Sequence, residues 1–596
     1  MQKKRVNKML TPAGENLPEI PWNVYPRPKM RRNSFLTLNG KWKFGVKDKG
    51  GENVFDSEIL VPFPPESILS GIDKVFPEDK TRVYCRDFFI PKGFNKGRII
   101  LHFGAVDQIA RVFVNGVLVV EHTGGYTPFS ADVTDYIRDE NQIVVEVDDY
   151  LSNFILPYGK QTAKPHGMWY TPVSGIWQTV WLESVPTEYI KSVKTDCNGE
   201  KIKIIIDGVK NAKLSLNKPN GKIVKNTEIG IFEFTIEDPI FWSPEKPYLY
   251  DFTVTTQCDH VYSYFAIRTL EVKTVNGIKR LCLNGKPYFF HGLLDQGYFS
   301  DGLFLPATPE TYGEEILKVK ALGFNTLRKH IKIEPQIFYY ECDRKGIIVW
   351  QDMINNGPYN FFRDTALPTL GFIKKKDIKI HKNKAQREAF LSTMEKTVEL
   401  LKEHPSICYW TIFNEGWGQF ESEKAYETLK ALDKTRFIDT TSGWFKCGNS
   451  DVESKHVYFK KIKIKPADKP VVVSEFGGSA YIDYEHVYNP EKAHGYGQSR
   501  TRERFVENTR KLYKEQIIPA IEKGLCGAIY TQVSDIEDET NVLFTYDRCV
   551  DKILPEEFKD ISDAIKPQIE KVLNTVTFKF FNKNFTNTVI YGKINQ

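Results

Sequence analysis

Ile412-Phe413-Asn414-Glu415-Gly416 and Val473-Ser474-Glu475-Phe476-Gly477 each drive an apolar, β-rich run into a carboxylate, with glycine just beyond. Ile407 to Phe413 and Val471 to Val473 read as buried strands, the kind that dominate parallel sheets. A Glu at the carboxyl end of a parallel strand stands where barrel enzymes place their chemistry. Two of them on separate strands are what retaining glycoside hydrolysis requires. One carboxyl group is protonated to assist the leaving group. The other is ionised to attack the anomeric carbon, and the two carboxyl groups face each other about 5–5.5 Å apart.

Outward from these segments, strands alternate with amphipathic helices. Tyr288–Leu293, Asn325–Leu327, Ile347–Trp350, Ile407–Phe413, Phe437–Thr440, His456–Phe459, Val471–Ser474 and Gly527–Thr531 read as barrel strands. Helices are expected at Pro309–Leu322, Glu334–Lys345, Lys384–His404, Ser422–Leu432 and Thr501–Lys523. The pattern predicts a (β/α)8 barrel over residues 274–596. The long aromatic segment from Met353 to Asn383 follows the third strand and should overhang the active face. The end, Phe578 to Gln596, reads as an extra strand or tail without an assigned place.

Before the barrel the cadence is all-β. Over residues 1–186, short runs such as Arg98 to Phe103 and Gln142 to Val147 are punctuated by Asn115-Gly116 and Gly124-Gly125. That is the rhythm of a jelly-roll β-sandwich. Residues 187–273 hold further strands and an Asn220-Gly221 turn, which fits an immunoglobulin-like sandwich.

Composition narrows the classes. The 596 residues require several domains, and aromatic content of 13% suits sugar surfaces. Net charge is +6, but the charges are interspersed, without the basic stripe of a nucleic-acid binder. The nine cysteines contain no CxxC pair and read as reduced thiols, not as a disulfide framework or zinc site. MQKKRVNKML is not followed by an apolar core, and no stretch reaches the roughly 18 apolar residues of a membrane span. A cytoplasmic protein without nucleic-acid or membrane partners is the expectation.

These residues resemble glycoside hydrolase family 2, the family of β-galactosidases, β-glucuronidases and β-mannosidases. The likeness rests on Leu38-Asn39-Gly40-Lys41-Trp42, Phe113-Val114-Asn115-Gly116, Gly175-Ile176-Trp177-Gln178 and the two carboxylate motifs, in that order. It covers nearly the whole chain. It implies Glu415 as acid/base and Glu475 as nucleophile, with Asn414 on the sugar 2-hydroxyl. It also implies Arg328 beside the nucleophile and Tyr458 donating to it.

Other positions depart from the family pattern. His330 comes one residue early, and Asp352 stands where many relatives carry Glu. Asp352 either contacts substrate hydroxyls or orients Arg328. Asp295, with Gln296, ends the first strand as a hydroxyl ligand or a structural group. Trp417, Trp444 and Tyr530 lie at or past strands 4, 5 and 8, to stack on pyranose faces or pack the core. His456 and Asn541 complete the expected substrate contacts. No metal-ligand spacing stands out, and no cofactor is required; a magnesium or sodium ion, known in some members, is left open.

β-Glucuronidases of the family hold the substrate carboxylate with an Asn-x-Lys pair in the late barrel. The corresponding loop here, Asp535 to Leu543, has no lysine and four carboxylates. Like-charge repulsion there points to a neutral or even amino sugar, and prevalence within the family alone puts a β-galactoside first. A β-mannoside, arabinopyranoside, glucosaminide or glucuronide is the alternative. The expected activity is that of an exo-acting retaining β-glycosidase on a glycoside or oligosaccharide; an inactive sugar-binding protein is the rival class. An inverting mechanism would need a wider carboxyl separation. Family members often form homo-oligomers, but the sequence does not fix the state.

Overall fold

A computed structural model of the chain describes residues 9–369, 377, 381–458, 460–492, 497–541, 543–566 and 568. Phe459, Val542 and the tail from Phe578 lie outside the described residues.

Two antiparallel sandwiches precede an eight-stranded parallel barrel. In the first, a six-stranded sheet faces a four-stranded one. Period-two alternation decides which residues are inside: Ala110, Val112 and Val114 of Ile109–Val114 are buried, their neighbours less so. They share one core with Trp42, Phe44, Val145 and Leu182. Asn115 and Gly116 close the hairpin at φ +52° and +83°, the left-handed pair a tight hairpin turn needs. The second sandwich packs Ile202, Ile204 and Ile206 of Lys201–Asp207 against Leu214, Phe252 and Val261.

All eight expected barrel strands form. They are Phe290–Asp295, Thr326–Lys329, Ile348–Asp352, Ile407–Asn414, Phe437–Ser442, Glu453–Val457, Val471–Gly477 and Leu525–Thr531. Their order round the sheet is 5-4-3-2-1-8-7-6. Between the fifth and sixth the ring is tied by Asp451 N–H to the Ile438 carbonyl, 2.8 Å. The register sets His456 beside Glu475 and Asn414 beside Ser442, so four polar groups meet at one rim.

Two helices differ from expectation for reasons of proline chemistry. Lys384–Leu401 stops short of His404, which precedes Pro405 and is thereby pushed out of the helical region. The segment expected as one helix from Thr501 is Arg502–Leu512, a wide π turn at Tyr513–Ile517, then Ile518–Glu522. Pro519 has no N–H to continue the α ladder, and the widened turn precedes it.

The first sandwich also reaches over the barrel. Tyr158 and Gly159 N–H both donate to the Asn355 carbonyl at 3.2 Å, and Asn356 Nδ2 donates to the Ile155 carbonyl at 2.7 Å. Thr171 N–H donates to Glu537 at 2.8 Å, and Tyr170 Oη to Glu539 at 2.6 Å. A strap from residue 154 to 171 is thus pinned to loops after the third and eighth strands.

Candidate active site

Glu415 follows the fourth strand with φ +53°, a left-handed conformation uncommon for a residue with a side chain. Such strain persists where the surroundings enforce it, and functional sites concentrate it. Its N–H donates to the Ser442 carbonyl at 2.9 Å. Gly416 continues at φ +77°, where an added Cβ would stand 2.2 Å from the Phe445 ring. Gly477, two residues past Glu475, is likewise left-handed, and its Cβ would meet the Tyr530 ring at 2.3 Å. The glycines that flag both motifs are therefore demanded by close approach.

The two carboxylates converge. One oxygen of Glu415, one of Glu475 and a ring nitrogen of His456 all lie within 4.8 Å of one another. His456 Nδ1 is 2.7 Å from Glu415 Oε1 and 3.5 Å from Glu475 Oε2. Its Nε2 lies 3.0 Å from Ser442 Oγ, which joins the hydroxyls of Ser454 and Ser474 beneath the site.

Glu475 is nine-tenths or more buried and heavily bonded. Arg328 Nη1 donates to its Oε1 at 2.9 Å, and Tyr458 Oη to its Oε2. Burial alone would raise its pKa, but the charges of His456, Arg328 and His330 and the Tyr458 bond hold it down, to about 2. Arg328 is fully buried and uses its whole fork. Nε bonds Asp352 at 3.0 Å, Nη1 also reaches the Ser474 carbonyl at 2.9 Å, and Nη2 reaches Asn414 Oδ1 at 2.8 Å. Asn414 Oδ1 is so held, while among the described residues its amide nitrogen donates to no acceptor. Asp352 accepts from Arg328 and lies 2.7 Å from His330 Nδ1, so Arg328 links both of them to Glu475. Burial pushes the Asp352 carboxyl up, but Arg328 and His330 outweigh it and hold it below the usual range.

A cavity of about 620 Å³ opens over this floor, lined by Glu415, His456, Tyr458, Trp444, Trp169, Met168, Tyr359, Phe361 and Glu539, with Lys460, Lys461 and Lys463 at one wall. Trp444 stands edge-on to His456 at 5.6 Å, its indole N–H without a partner among the described residues. The segment after Met353 contributes Tyr359 and Phe361 to the wall.

Other expected residues are placed elsewhere. Trp417 donates its indole N–H to the Gly357 carbonyl at 2.8 Å and packs behind Trp169 at 4.9 Å. Tyr530 points outward to Phe476 and Tyr513, its hydroxyl 3.4 Å from Thr509, because alternate strand residues face the helices. Asp295 bonds Lys329 Nζ at 2.6 Å, in a cluster with Glu334 and Lys332, not the dyad. Asn541 is buried, and its Nδ2 donates to Glu539 at 3.3 Å. Sequence reading missed Lys160, Trp169 and Tyr359, since the strap and the long loop carry no motif of their own; Glu539 belongs to the late-barrel loop already noted for its carboxylates.

Three family profiles match the chain. "Glycosyl hydrolases family 2, sugar binding domain" covers residues 66–186, "Glycosyl hydrolases family 2" 190–268, and "Glycosyl hydrolases family 2, TIM barrel domain" 274–483. The chain belongs to glycoside hydrolase family 2. A β-galactosidase of Thermoanaerobacter pseudethanolicus is 26% identical over 53% of this chain and 46% of its own length. A β-glucuronidase of Sus scrofa is 24% identical over 77% and 80%. This chain thus spans less than half of the first relative and four-fifths of the second. Among solved structures, a β-D-glucuronidase from Dictyoglomus thermophilum superposes with TM-score 0.69 at 20% identity, covering 90% and 98% of the two chains. A β-galacturonidase from Eisenbergiella tayi gives 0.65 at 20%, covering 91% and 98%. These likenesses carry the fold. No helix among the described residues is long and apolar enough to cross a membrane.

Proposed function

We propose that the protein is an exo-acting, retaining β-glycosidase, with Glu415 as acid/base and Glu475 as nucleophile. The observation that carries this reading is the convergence of their oxygens to within 4.8 Å. Retention asks for carboxyl groups about 5–5.5 Å apart, whereas inversion leaves room for a water at about 6.5–9.5 Å.

Each group suits its step. Arg328 and Tyr458 keep Glu475 ionised, so it attacks C1 as the glycosidic bond breaks. Glu415 gives its proton to the departing oxygen, and the sugar is left as an ester on Glu475. Glu415 then takes a proton from water, which attacks C1 and frees the carboxylate with configuration kept. Asn414, fixed by Arg328, offers its amide to the sugar 2-hydroxyl, a contact that tightens in the transition state.

The carboxylates of the 535–541 loop first argued for a neutral sugar such as a β-galactoside. Asp535 pairs with Lys552 at 2.7 Å, and Glu537 and Glu539 accept from Thr171 and Tyr170. Of these three a cation thus offsets Asp535 alone, while Glu537 and Glu539 meet neutral donors; among the described residues of that loop Glu539 lines the cavity, and the loop's repulsion comes down to that group.

Glu475→Gly with azide on an activated aryl glycoside tests the assignment. The expected product is an inverted glycosyl azide; turnover lost without that product would contradict Glu475 as nucleophile.

A further inference from the structure

One cation beside the dyad has no part in these steps. Lys160 comes from the first sandwich, not from the barrel, and is 8% exposed. Its position is fixed by backbone on both sides. Its carbonyl accepts from Tyr170 N–H at 3.0 Å, and the preceding Gly159 is tied to Asn355. Gln161 Nε2 donates to Asp107 at 2.9 Å, while its Oε1 accepts from Val173 N–H at 2.6 Å. Gly159 turns at φ +68°, where a Cβ would stand 2.9 Å from the Ile331 carbonyl.

The ammonium stands 5.3 Å from the centroid of Trp169, a wall of the cavity. Among the described residues no carboxylate comes within ion-pair distance of it. Glu415, Glu475 and Glu539 are the charges that act on it most, and His330 feels its charge in turn. Yet those three carboxylates have other partners: His456, Arg328 with Tyr458, and Tyr170. Burial lowers the proton affinity of Lys160, and the three carboxylates oppose that. Lys160 is thus nearly buried as a residue, with no carboxylate in contact among the described residues, so water or a ligand must solvate its ammonium, and an anionic ligand does so best.

We propose that Lys160 is the specificity-determining cation of the sugar subsite, and that the ring bound there carries an anionic group. This rests on the glycosidase reading and names the substrate class of the same site. A carboxylate or a sulfate on the ring satisfies the chemistry. A neutral pyranose would strip water from Lys160 and return nothing but hydroxyl contacts. The barrel loop that lacks a lysine is thus answered by a lysine from the other domain.

The test is a panel of 4-nitrophenyl β-glucuronide, β-galacturonide, β-galactoside 6-sulfate, β-galactoside and β-glucoside, with the full chain, Lys160→Met and Lys160→Arg. The wild type should cleave one of the anionic glycosides best, and which one tells carboxylate from sulfate. Lys160→Met should reduce the ratio of kcat/KM for that substrate over its neutral counterpart by about 100-fold, mostly through KM. Lys160→Arg should recover part of the ratio. A wild type that prefers a neutral glycoside, or a ratio unmoved by Lys160→Met, overturns the proposal. Calorimetry with free glucuronate, galacturonate, galactose 6-sulfate, glucose and galactose reads the same preference without turnover. Should no glycoside be cleaved, the glycosidase reading fails, and the binding order still decides the role of Lys160.

Discussion

His456 Nδ1 stands 2.7 Å from Glu415 Oε1, so the carboxylate proposed as acid/base is held by an imidazole from the sixth strand. The same nitrogen is 3.5 Å from Glu475 Oε2, and one ring therefore spaces both carboxylates. Removing it leaves Glu415 without that anchor. His456→Ala should lower kcat by about 100-fold, within the range for a positioned acid/base. It should also steepen the dependence of rate on leaving-group pKa. A slower variant with unchanged leaving-group dependence would mean that His456 does not act through Glu415.

Glu475 should remain ionised far into acid. Its carboxyl is held near 2, against an ordinary value of 4.5, so nucleophile competence is lost only as pH falls toward about 2. Tyr458→Phe removes one donor, and the acid limb of kcat/KM should move to higher pH by roughly one unit. The same shift contributes stability above about pH 4.5 that disappears as pH falls through about 2. Glu475→Gln should lack that acid-dependent component in urea melts recorded from pH 5 downward.

Arg328 is fully buried and satisfies Asp352, Glu475, Asn414 and the Ser474 carbonyl at once. Arg328→Met leaves two buried carboxylates unmatched, and stability should fall by about 3–5 kcal/mol. Arg328→Lys should rescue little, because a single ammonium does not span the fork's contacts. Chemical denaturation of both variants checks this; a lysine variant as stable as wild type would contradict it.

Gly416→Ala places a methyl 2.2 Å from Phe445 at φ +77°. Strain plus clash should cost about 2 kcal/mol or more and displace Glu415. Activity should fall more with poor than with good leaving groups. Equal loss across leaving groups would argue that the strained turn does not serve the acid/base.

Asp295→Asn should weaken stability by disturbing Lys329 and Glu334, with KM little changed. A large rise in KM at unaltered melting temperature would restore Asp295 to the sugar site.

The barrel was legible because its buried strands are long apolar runs and its carboxylates break them abruptly. Ile407–Asn414 is buried throughout, so Asn414 and Glu415 stood out against their own strand. Facing direction was harder. Tyr530 and Trp444 look alike as strand-end aromatics, but pleat parity sends Tyr530 to the helices while Trp444 reaches the cavity. Asp295 read equally as a ligand or a structural group because its partner, Lys329, lies on the next strand and is found only through register. Lys160 and Trp169 were invisible as site residues: more than 240 positions separate them from Glu415, and the strap's hydrogen bonds, to Asn355, Asn356, Glu537 and Glu539, bring them over the barrel.

The most direct measurement is mass spectrometry of the protein trapped with a 2-deoxy-2-fluoro glycoside of its preferred sugar. A facing pair of carboxylates predicts one sugar ester, on the peptide that contains Glu475, formed as activity disappears. An adduct on another residue, or inactivation and turnover with no ester on Glu475, would contradict it.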